Sequence, residues 1–118
     1  MRRILIVGHN PHFALSSNGA PYEFVVVSAQ EAEGLLDSEW DGLVVDVTRQ
    51  TGIDLIRRIR LHPHARDVRV LATAEWGTGY GSLALSLGAD AYEPMLCDSK
   101  DILAAVRRLL RPRLAVAK

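Results

Sequence analysis

Asp46 is the residue whose type and position point most clearly to chemistry. It lies at the end of an apolar run within residues 41–47, where four aliphatic side chains surround one acid. A continuous aliphatic run of this length is typical of a strand that is buried on both faces, as in a parallel sheet. A carboxylate inside such a sheet would be costly, whereas the carboxyl end of a strand is where open α/β sheets place their sites. We therefore expect the other elements to place groups around Asp46.

The four histidines suggest a metal site, because imidazole is a common metal ligand. His9 and His12 follow the first predicted strand and should lie at the carboxyl end of the sheet. His62 and His64 follow a predicted helix and should lie at the opposite end. The two pairs cannot share one ion within a subunit, so we predict no metal site.

The cysteine and the glycine-rich segment do not indicate a second functional site. The single cysteine, Cys97, excludes an internal disulfide, fits a reducing compartment, and is more typical of a small apolar filler than of a nucleophile. Gly77, Gly79 and Gly81 do not follow the spacing of a phosphate-binding loop. We predict instead that residues 76–81 form a mobile connection, because glycine costs backbone entropy to order.

The composition is that of an ordinary globular domain. Of the 118 residues, 48% are hydrophobic and 24% are charged, and 14 basic residues balance 14 acidic ones. Bulk charge therefore indicates neither a nucleic-acid surface nor a membrane surface, and no apolar run approaches the ~20 residues of a membrane span. We predict one cytoplasmic domain over residues 1–118, with a core at residues 3–111 and a short tail at residues 112–118.

Apolar runs alternate with amphipathic segments along the chain, which indicates repeated strand–helix units. Such units imply a parallel sheet with right-handed crossovers and helices on both faces. At this size the flavodoxin-like strand order 2-1-3-4-5 is the commonest solution, so we predict an α/β fold of that type. The predicted strands are residues 4–7, 24–27, 43–47, 68–73 and 89–92, and the predicted helices are a short one after Pro11, then 29–37, 53–61, 83–87 and a last one capped by Ser99.

Several short segments resemble, in the right order, the receiver domain of bacterial two-component response regulators. Residues 41–46 are similar to the family's third strand, so the resemblance implies that Asp46 occupies the phosphoacceptor position. Matches to the fourth and fifth strands place Thr73 and Tyr92 at the family's conformational-switch positions. The fold that the resemblance implies is the five-unit receiver fold. The matching segments are residues 4–7, 41–46, 52–56, 71–75, 88–92 and 98–103.

The departures from the family pattern concern its chemistry. Receivers carry an acidic pair for Mg²⁺ after the first strand, where Gly8 and His9 stand in this chain. They carry a lysine after the fifth strand, where ungapped alignment places Met95. Asp46 alone would be a poor Mg²⁺ site, because this ion prefers a shell of six oxygens that typically includes one or two carboxylates. We therefore expect no cofactor, and Mg²⁺ only if the domain is a competent receiver after all.

The resemblance and its gaps together predict a signalling module that is not an enzyme. We expect a pseudo-receiver that acts by phosphorylation-independent protein–protein interaction in two-component or phosphorelay regulation. Its expected partner is another signalling protein, bound through the fourth predicted helix, the fifth strand and the last helix. The alternatives are a competent receiver phosphorylated on Asp46 by a histidine kinase, or a small-anion-binding domain near Gly8 and His9.

Three structural alternatives stay open at the level of sequence. Arg49 could pair with Asp46 or lie in solvent, and Thr73 and Tyr92 could form a two-state switch or simply fill the end of the sheet. The predicted first helix is about two turns shorter than in receivers. We expect the face that it leaves uncovered to be closed by a symmetric homodimer or by residues 114–116 folding back.

Overall fold

The sheet has five parallel strands in the order β2-β1-β3-β4-β5. In a computed structural model, residues 2–8, 21–74, 80–94 and 99–111 are described. The parallel pairing and the strand order confirm the flavodoxin-like prediction. The strands are β1 (Arg2–Val7), β2 (Tyr22–Val27), β3 (Gly42–Asp46), β4 (Arg69–Thr73) and β5 (Ala91–Tyr92).

From β2 onward, a helix connects each strand to the next, and another helix follows β5. At the start of the first of them, the Ser28 hydroxyl accepts from the Glu31 backbone N–H and the Glu31 carboxylate accepts from the Ser28 N–H, which is the predicted capping box. Among the described helices, none combines the length and apolarity needed to cross a bilayer. The helices of the described residues are α1 (Ala29–Leu35), α2 (Gln50–Leu61), α3 (Tyr80–Ser86) and α4 (Ser99–Leu109).

Two apolar clusters lie on opposite faces of the sheet, because successive strand side chains alternate between faces. Leu5 and Val7 belong to the cluster that packs against α1, α2 and α3. Ile4 and Ile6 belong to the other cluster, which includes the apolar side of α4. Helices therefore cover both faces, as predicted. Residues of α4 in the second cluster are Ile102, Ala105, Val106 and Leu109.

The predicted strands and the helices predicted after β2 are present, but several bounds differ. The helix α2 begins three residues before the predicted start, and α3 begins at Tyr80 rather than Leu83, so that Gly81 is helical and not part of the predicted mobile connection. Strand β5 contains only Ala91 and Tyr92, and Asp90 just before it bonds Val70 through both its N–H and its carboxylate.

Some predictions fall outside the described residues. These are the shortened first helix, most of the glycine-rich connection, the positions of His9, Met95 and Cys97, and the tail at residues 112–118. The face that the short helix was expected to leave open has Ile4, Ile6 and Val44 fully buried. Its closure by a homodimer or by the tail stays a prediction.

Arg60, on α2, ties the amino ends of β4 and β5 together. Its guanidinium donates to the carbonyl of Gly88 at 2.7 and 2.9 Å and to the carbonyl of Val68 at 2.6 Å, and it pairs with Asp90 at 3.0 Å. Gly88 has φ +119°, and a Cβ there would lie 2.8 Å from Arg60 Cγ. The amino ends of β4 and β5 are therefore closed by bonds from the Arg60 guanidinium.

Candidate functional site

Asp46 is the last residue of β3 and is half-buried at the carboxyl end of the sheet. Its Oδ1 atom accepts a hydrogen bond from the backbone N–H of Thr48 at 2.8 Å. A side chain that accepts from the N–H two residues later forms an Asx turn, which stabilises the change of direction after a strand. The carboxylate thus has a structural partner within its own loop.

Gly52 lets the first turn of α2 approach this strand end. A Cβ at Gly52 would lie 1.9 Å from the carbonyl oxygen of Asp46 and 3.1 Å from Val47 Cα. No side chain fits at that distance, so any residue other than glycine would push α2 away from β3. This close contact fixes the position of the Asp46 backbone, and therefore of its carboxylate.

Gly8 follows β1 and lies against Asp46 on the neighbouring strand. Its N–H donates to the carbonyl of Val27 at 2.8 Å, and its φ of +77° is in the left-handed region that favours glycine. A Cβ at Gly8 would lie 3.3 Å from Asp46 Cβ. The position predicted to correspond to the first acid of a receiver's pair is therefore a residue that has no side chain and a backbone that disfavours one.

Thr73 ends β4 directly beside Asp46. The two residues are partners in the parallel register, and the Val47 N–H donates to the Thr73 carbonyl at 2.7 Å. Thr73 is only 2% exposed, and it is the polar residue among the fully buried positions of the described chain. The structure thus brings Gly8, Asp46 and Thr73 together at one edge of three neighbouring strands.

Tyr92 lies on β5, beside Ala72 of β4. Its ring is half-buried and occupies the space above Gly81 of α3, where a Cβ would lie 2.3 to 2.6 Å from three ring atoms. The ring also packs against the core cluster of α1, α2 and α3. The Tyr92 ring, at the predicted switch position, therefore packs into a space that only a glycine at residue 81 leaves open.

The described residues do not fit a magnesium ion. Of the two positions that receivers use for an acidic pair, Gly8 has no side chain and His9 lies outside the described residues. Within the described ranges, no group of three or more His, Cys, Asp or Glu side chains is placed to hold a metal ion. Arg49 is exposed and makes no ion pair with Asp46 in this part of the chain, so it offers no fixed positive charge to the carboxylate.

Sequence reasoning missed three residues that shape the site. Thr48 supplies the N–H for Asp46, and Gly52 and Gly81 make room for a strand end and for Tyr92. An aspartate two residues before a threonine after a strand is a signal for an Asx turn. A glycine in the first turn of a helix is also a signal of close approach, because its low helix propensity needs a compensating reason.

A charged groove lies between β5 and α4, and we call it the β5–α4 groove. It has a volume of about 520 Å³ and lies beside the edge strand β5. Glu93 accepts from Arg108 on its wall, and this contact raises the pKa of the Arg108 guanidinium. The groove is lined by Arg69, Asp90, Ala91, Glu93, Arg108, Leu109 and Arg111.

Arg69 holds the end of α4 against the sheet beneath this groove. Its guanidinium donates to the Leu109 carbonyl at 2.7 Å and also to the Arg111 carbonyl. The carbonyls at the end of a helix lack partners within the helix, and arginine is well suited to satisfy them. Arg69 is thus occupied structurally, while Arg108 and Arg111 are exposed on the surface.

The chain resembles known proteins in structure more than in sequence. No protein-family model and no curated protein sequence matches the chain. A candidate response regulator from Chloroflexus aurantiacus has a similar structure, with a TM-score of 0.76 and 25% identity over 94% of this chain and 98% of that one. The chemotaxis protein CheY4 of Vibrio cholerae gives a TM-score of 0.77 and 18% identity over 93% and 99% of the two chains.

A third similar structure was determined with a metal ion. It is the receiver domain of a sensor histidine kinase from Pseudomonas aeruginosa, with magnesium coordinated in its active-site cleft. Its TM-score is 0.74, with 19% identity over 92% of this chain and 97% of that one. The identities are low, whereas the strand order and nearly the whole length agree. The chain therefore has the CheY-like fold of response-regulator receiver domains, in a sequence that has diverged far from theirs.

Proposed function

We propose that this chain is a receiver-like signalling module that binds other proteins without being phosphorylated. The observation that carries the proposal is the environment of Asp46. Its carboxylate accepts from the Thr48 N–H, and Gly8, with its left-handed backbone, occupies the place of a receiver's metal-binding acid. The phosphoacceptor position is kept as a structural element, while the groups that would activate it are absent from the described residues.

Phosphoryl transfer to a carboxylate depends on charge that is positioned before the reaction, because negative charge accumulates between donor and acceptor. Losing one such group typically costs ~3 kcal/mol, about a hundredfold in rate. The sequence places Gly8 at one of these positions and Met95 at another. Two losses of this size would make phosphorylation of Asp46 too slow to regulate a partner.

The surface of α3, β5 and α4 is the partner surface in this proposal. The edge strand β5 and the β5–α4 groove place a strand edge beside the charged side chains of Glu93, Arg108 and Arg111. The inward position of Tyr92 over Gly81 holds that surface in one arrangement. A partner would therefore meet a preformed surface, which lowers the entropic cost of binding.

The test is to incubate the protein with acetyl phosphate and Mg²⁺ and to measure its intact mass. We expect no phosphoryl adduct, whereas a metal-binding response regulator treated in parallel should gain one. Partners captured from an extract of the native cell should be retained equally by the wild type and by Asp46→Asn. Binding should be weakened by Arg108→Glu, which reverses charge in the β5–α4 groove, and not by Arg57→Glu on the exposed side of α2.

A competent receiver is the second candidate, and the same experiment identifies it. A stoichiometric, Mg²⁺-dependent mass gain that Asp46→Asn abolishes would overturn our proposal in its favour. Loss of partner binding in Asp46→Asn without any mass gain would also contradict the proposal, because it would give the carboxylate a direct role in recognition.

A further inference from the structure

The edge strand β2 carries a row of backbone groups that point away from the sheet. Hydrogen bonds join the Arg2 N–H to the Pro21 carbonyl at 3.1 Å and the Gly8 N–H to the Val27 carbonyl at 2.8 Å. In a parallel pair, alternate residues of a strand turn both their N–H and C=O groups toward the same neighbour. Odd-numbered residues of β2 therefore bond to β1, and Tyr22, Phe24 and Val26 direct theirs outward.

These outward groups have no partner within the described residues. The strand order ends at β2, and no hydrogen bond of the described chain reaches the backbone of Phe24 or Val26 from that side. Natural proteins usually protect such an edge with lysine, proline or a bulge. Between Tyr22 and Val27 the only charged residue is Glu23, and Val26 is a large apolar side chain that is 42% exposed. The edge is thus accessible to another strand, and Glu23 is the only charged side chain on β2 that could oppose pairing.

We infer that β2 pairs with β2 of a second copy of this chain, antiparallel, to form a continuous ten-stranded sheet across a twofold axis. An antiparallel ladder needs outward-facing residues opposite one another. The outward set of Tyr22, Phe24 and Val26 is symmetric about Phe24, so the strand is complementary to itself. In this register Phe24 faces Phe24 of the second copy, and Tyr22 faces Val26.

The same register gives favourable side-chain pairs on both faces. On the face of α4, aromatic side chains meet each other and Val26, and such cross-strand pairs stabilise antiparallel sheets. Tyr22 and Phe24 already pack together, with ring centroids 5.9 Å apart. On the other face Glu23 stands opposite Val25 rather than opposite another acid, and its own Arg3 lies 3.9 Å away. Charge therefore does not oppose the pairing.

The first experiment measures the mass of the protein in solution as a function of concentration, from about 10 µM to about 500 µM, because self-association follows mass action. We expect the mass to rise toward twice the 13.0 kDa of one chain. Val26→Lys places a charge on the edge, and Val26→Pro removes an outward N–H that β1 does not use. Each should weaken dimerisation at least about tenfold. The proline leaves a hydrogen bond unmade, which costs on the order of one factor of ten, and the lysine sets a charge against Tyr22 of the second copy.

Leu61→Lys is the matched control. Leu61 is 83% exposed on α2, so the substitution removes more exposed apolar surface and adds the same charge away from β2. It should leave the dimer unchanged. Thermal melting of all three variants checks that each is folded.

Hydrogen exchange resolved by residue tests the register on the unmodified protein. In the dimer, the amides of Tyr22, Phe24 and Val26 should exchange slowly, and dilution should make them exchange fast. The amides of Val25 and Val27 face β1 and should be protected at every concentration. A protein that stays monomeric over the whole range would overturn the inference. So would a dimer that both Val26 variants leave intact, or one in which the Phe24 amide stays unprotected.

Discussion

At the scale of single residues, the site is defined by what surrounds one carboxylate. Asp46 accepts from Thr48 in its own loop, and Gly8 and Thr73 lie against it from the strands on either side. These contacts give Asp46 a structural role that does not depend on phosphorylation. The loop after β3 thus uses Asp46 as a hydrogen-bond acceptor.

The first prediction separates the structural role of Asp46 from its charge. Asp46→Ala leaves the Thr48 N–H without its acceptor, so we expect a loss of about 1 kcal/mol in the free energy of unfolding. Asp46→Asn keeps a side-chain oxygen at the same place and should stay within ~0.5 kcal/mol of the wild type. Urea unfolding measures both variants. Equal destabilisation by the two changes would show that the charge, and not the Asx turn, stabilises the loop.

At the scale of elements, the position of α2 depends on a contact between backbones. Gly52 lies in the first turn of α2, directly on the Asp46 carbonyl, and Gly81 gives α3 the corresponding close contact with Tyr92. Both helices are therefore placed by the absence of a side chain. Apolar packing holds the helices on the sheet, and these two glycines set how close they come at the carboxyl end.

The second prediction compares two glycines in helices. Gly52→Ala puts a Cβ 1.9 Å from the Asp46 carbonyl oxygen, and such overpacking typically costs 1–3 kcal/mol, so we expect a loss of about that size. Gly34→Ala in α1 is the control, because a Cβ there meets nothing within 4 Å. It should stabilise the protein by roughly 0.5–1 kcal/mol, since alanine favours a helix over glycine. Thermal melting of both variants gives the sign directly, and a stabilising Gly52→Ala would contradict the close contact.

At the scale of the whole molecule, the two ends of the sheet have different roles. The amino end is closed by Arg60, which joins α2 to the residues before β4 and β5. The carboxyl end carries Asp46, Thr73 and Tyr92, and the β5 edge carries the charged groove. The contacts of Arg60 thus lie at the opposite end of the sheet from Asp46, Thr73 and Tyr92.

The third prediction concerns that closed end. Arg60→Lys keeps the positive charge but replaces the planar guanidinium, which contacts Gly88, Val68 and Asp90 together, by a single ammonium group. We expect a loss of about 1–3 kcal/mol, because buried carbonyls lose their donors. Arg57→Lys on the exposed side of the same helix should change stability by less than ~0.5 kcal/mol. If urea unfolding gives the same value for both variants, Arg60 does not hold the strands together.

Much of the fold could be predicted from the sequence, because the signals are local. The aliphatic runs of β1 and β3, the capping box at Ser28 and the alternation of strands and helices each lie within a short segment. The right-handed crossover and the small number of allowed topologies then lead to one strand order. The placement of Asp46 and Thr73 at neighbouring strand ends follows from that order and the lengths of the runs.

Only the tertiary structure decided which atoms meet across long separations in sequence. The left-handed backbone of Gly8 beside Asp46, the Tyr92 ring over Gly81 and the bonds from Arg60 to Gly88 all join residues at least eleven positions apart. No local propensity encodes such a distance, because each depends on the final packing of two elements. The outward set of groups on β2 likewise became visible only once its register with β1 was known. Sequence alone determined the scaffold and its site, and packing between distant elements determined what that site can do.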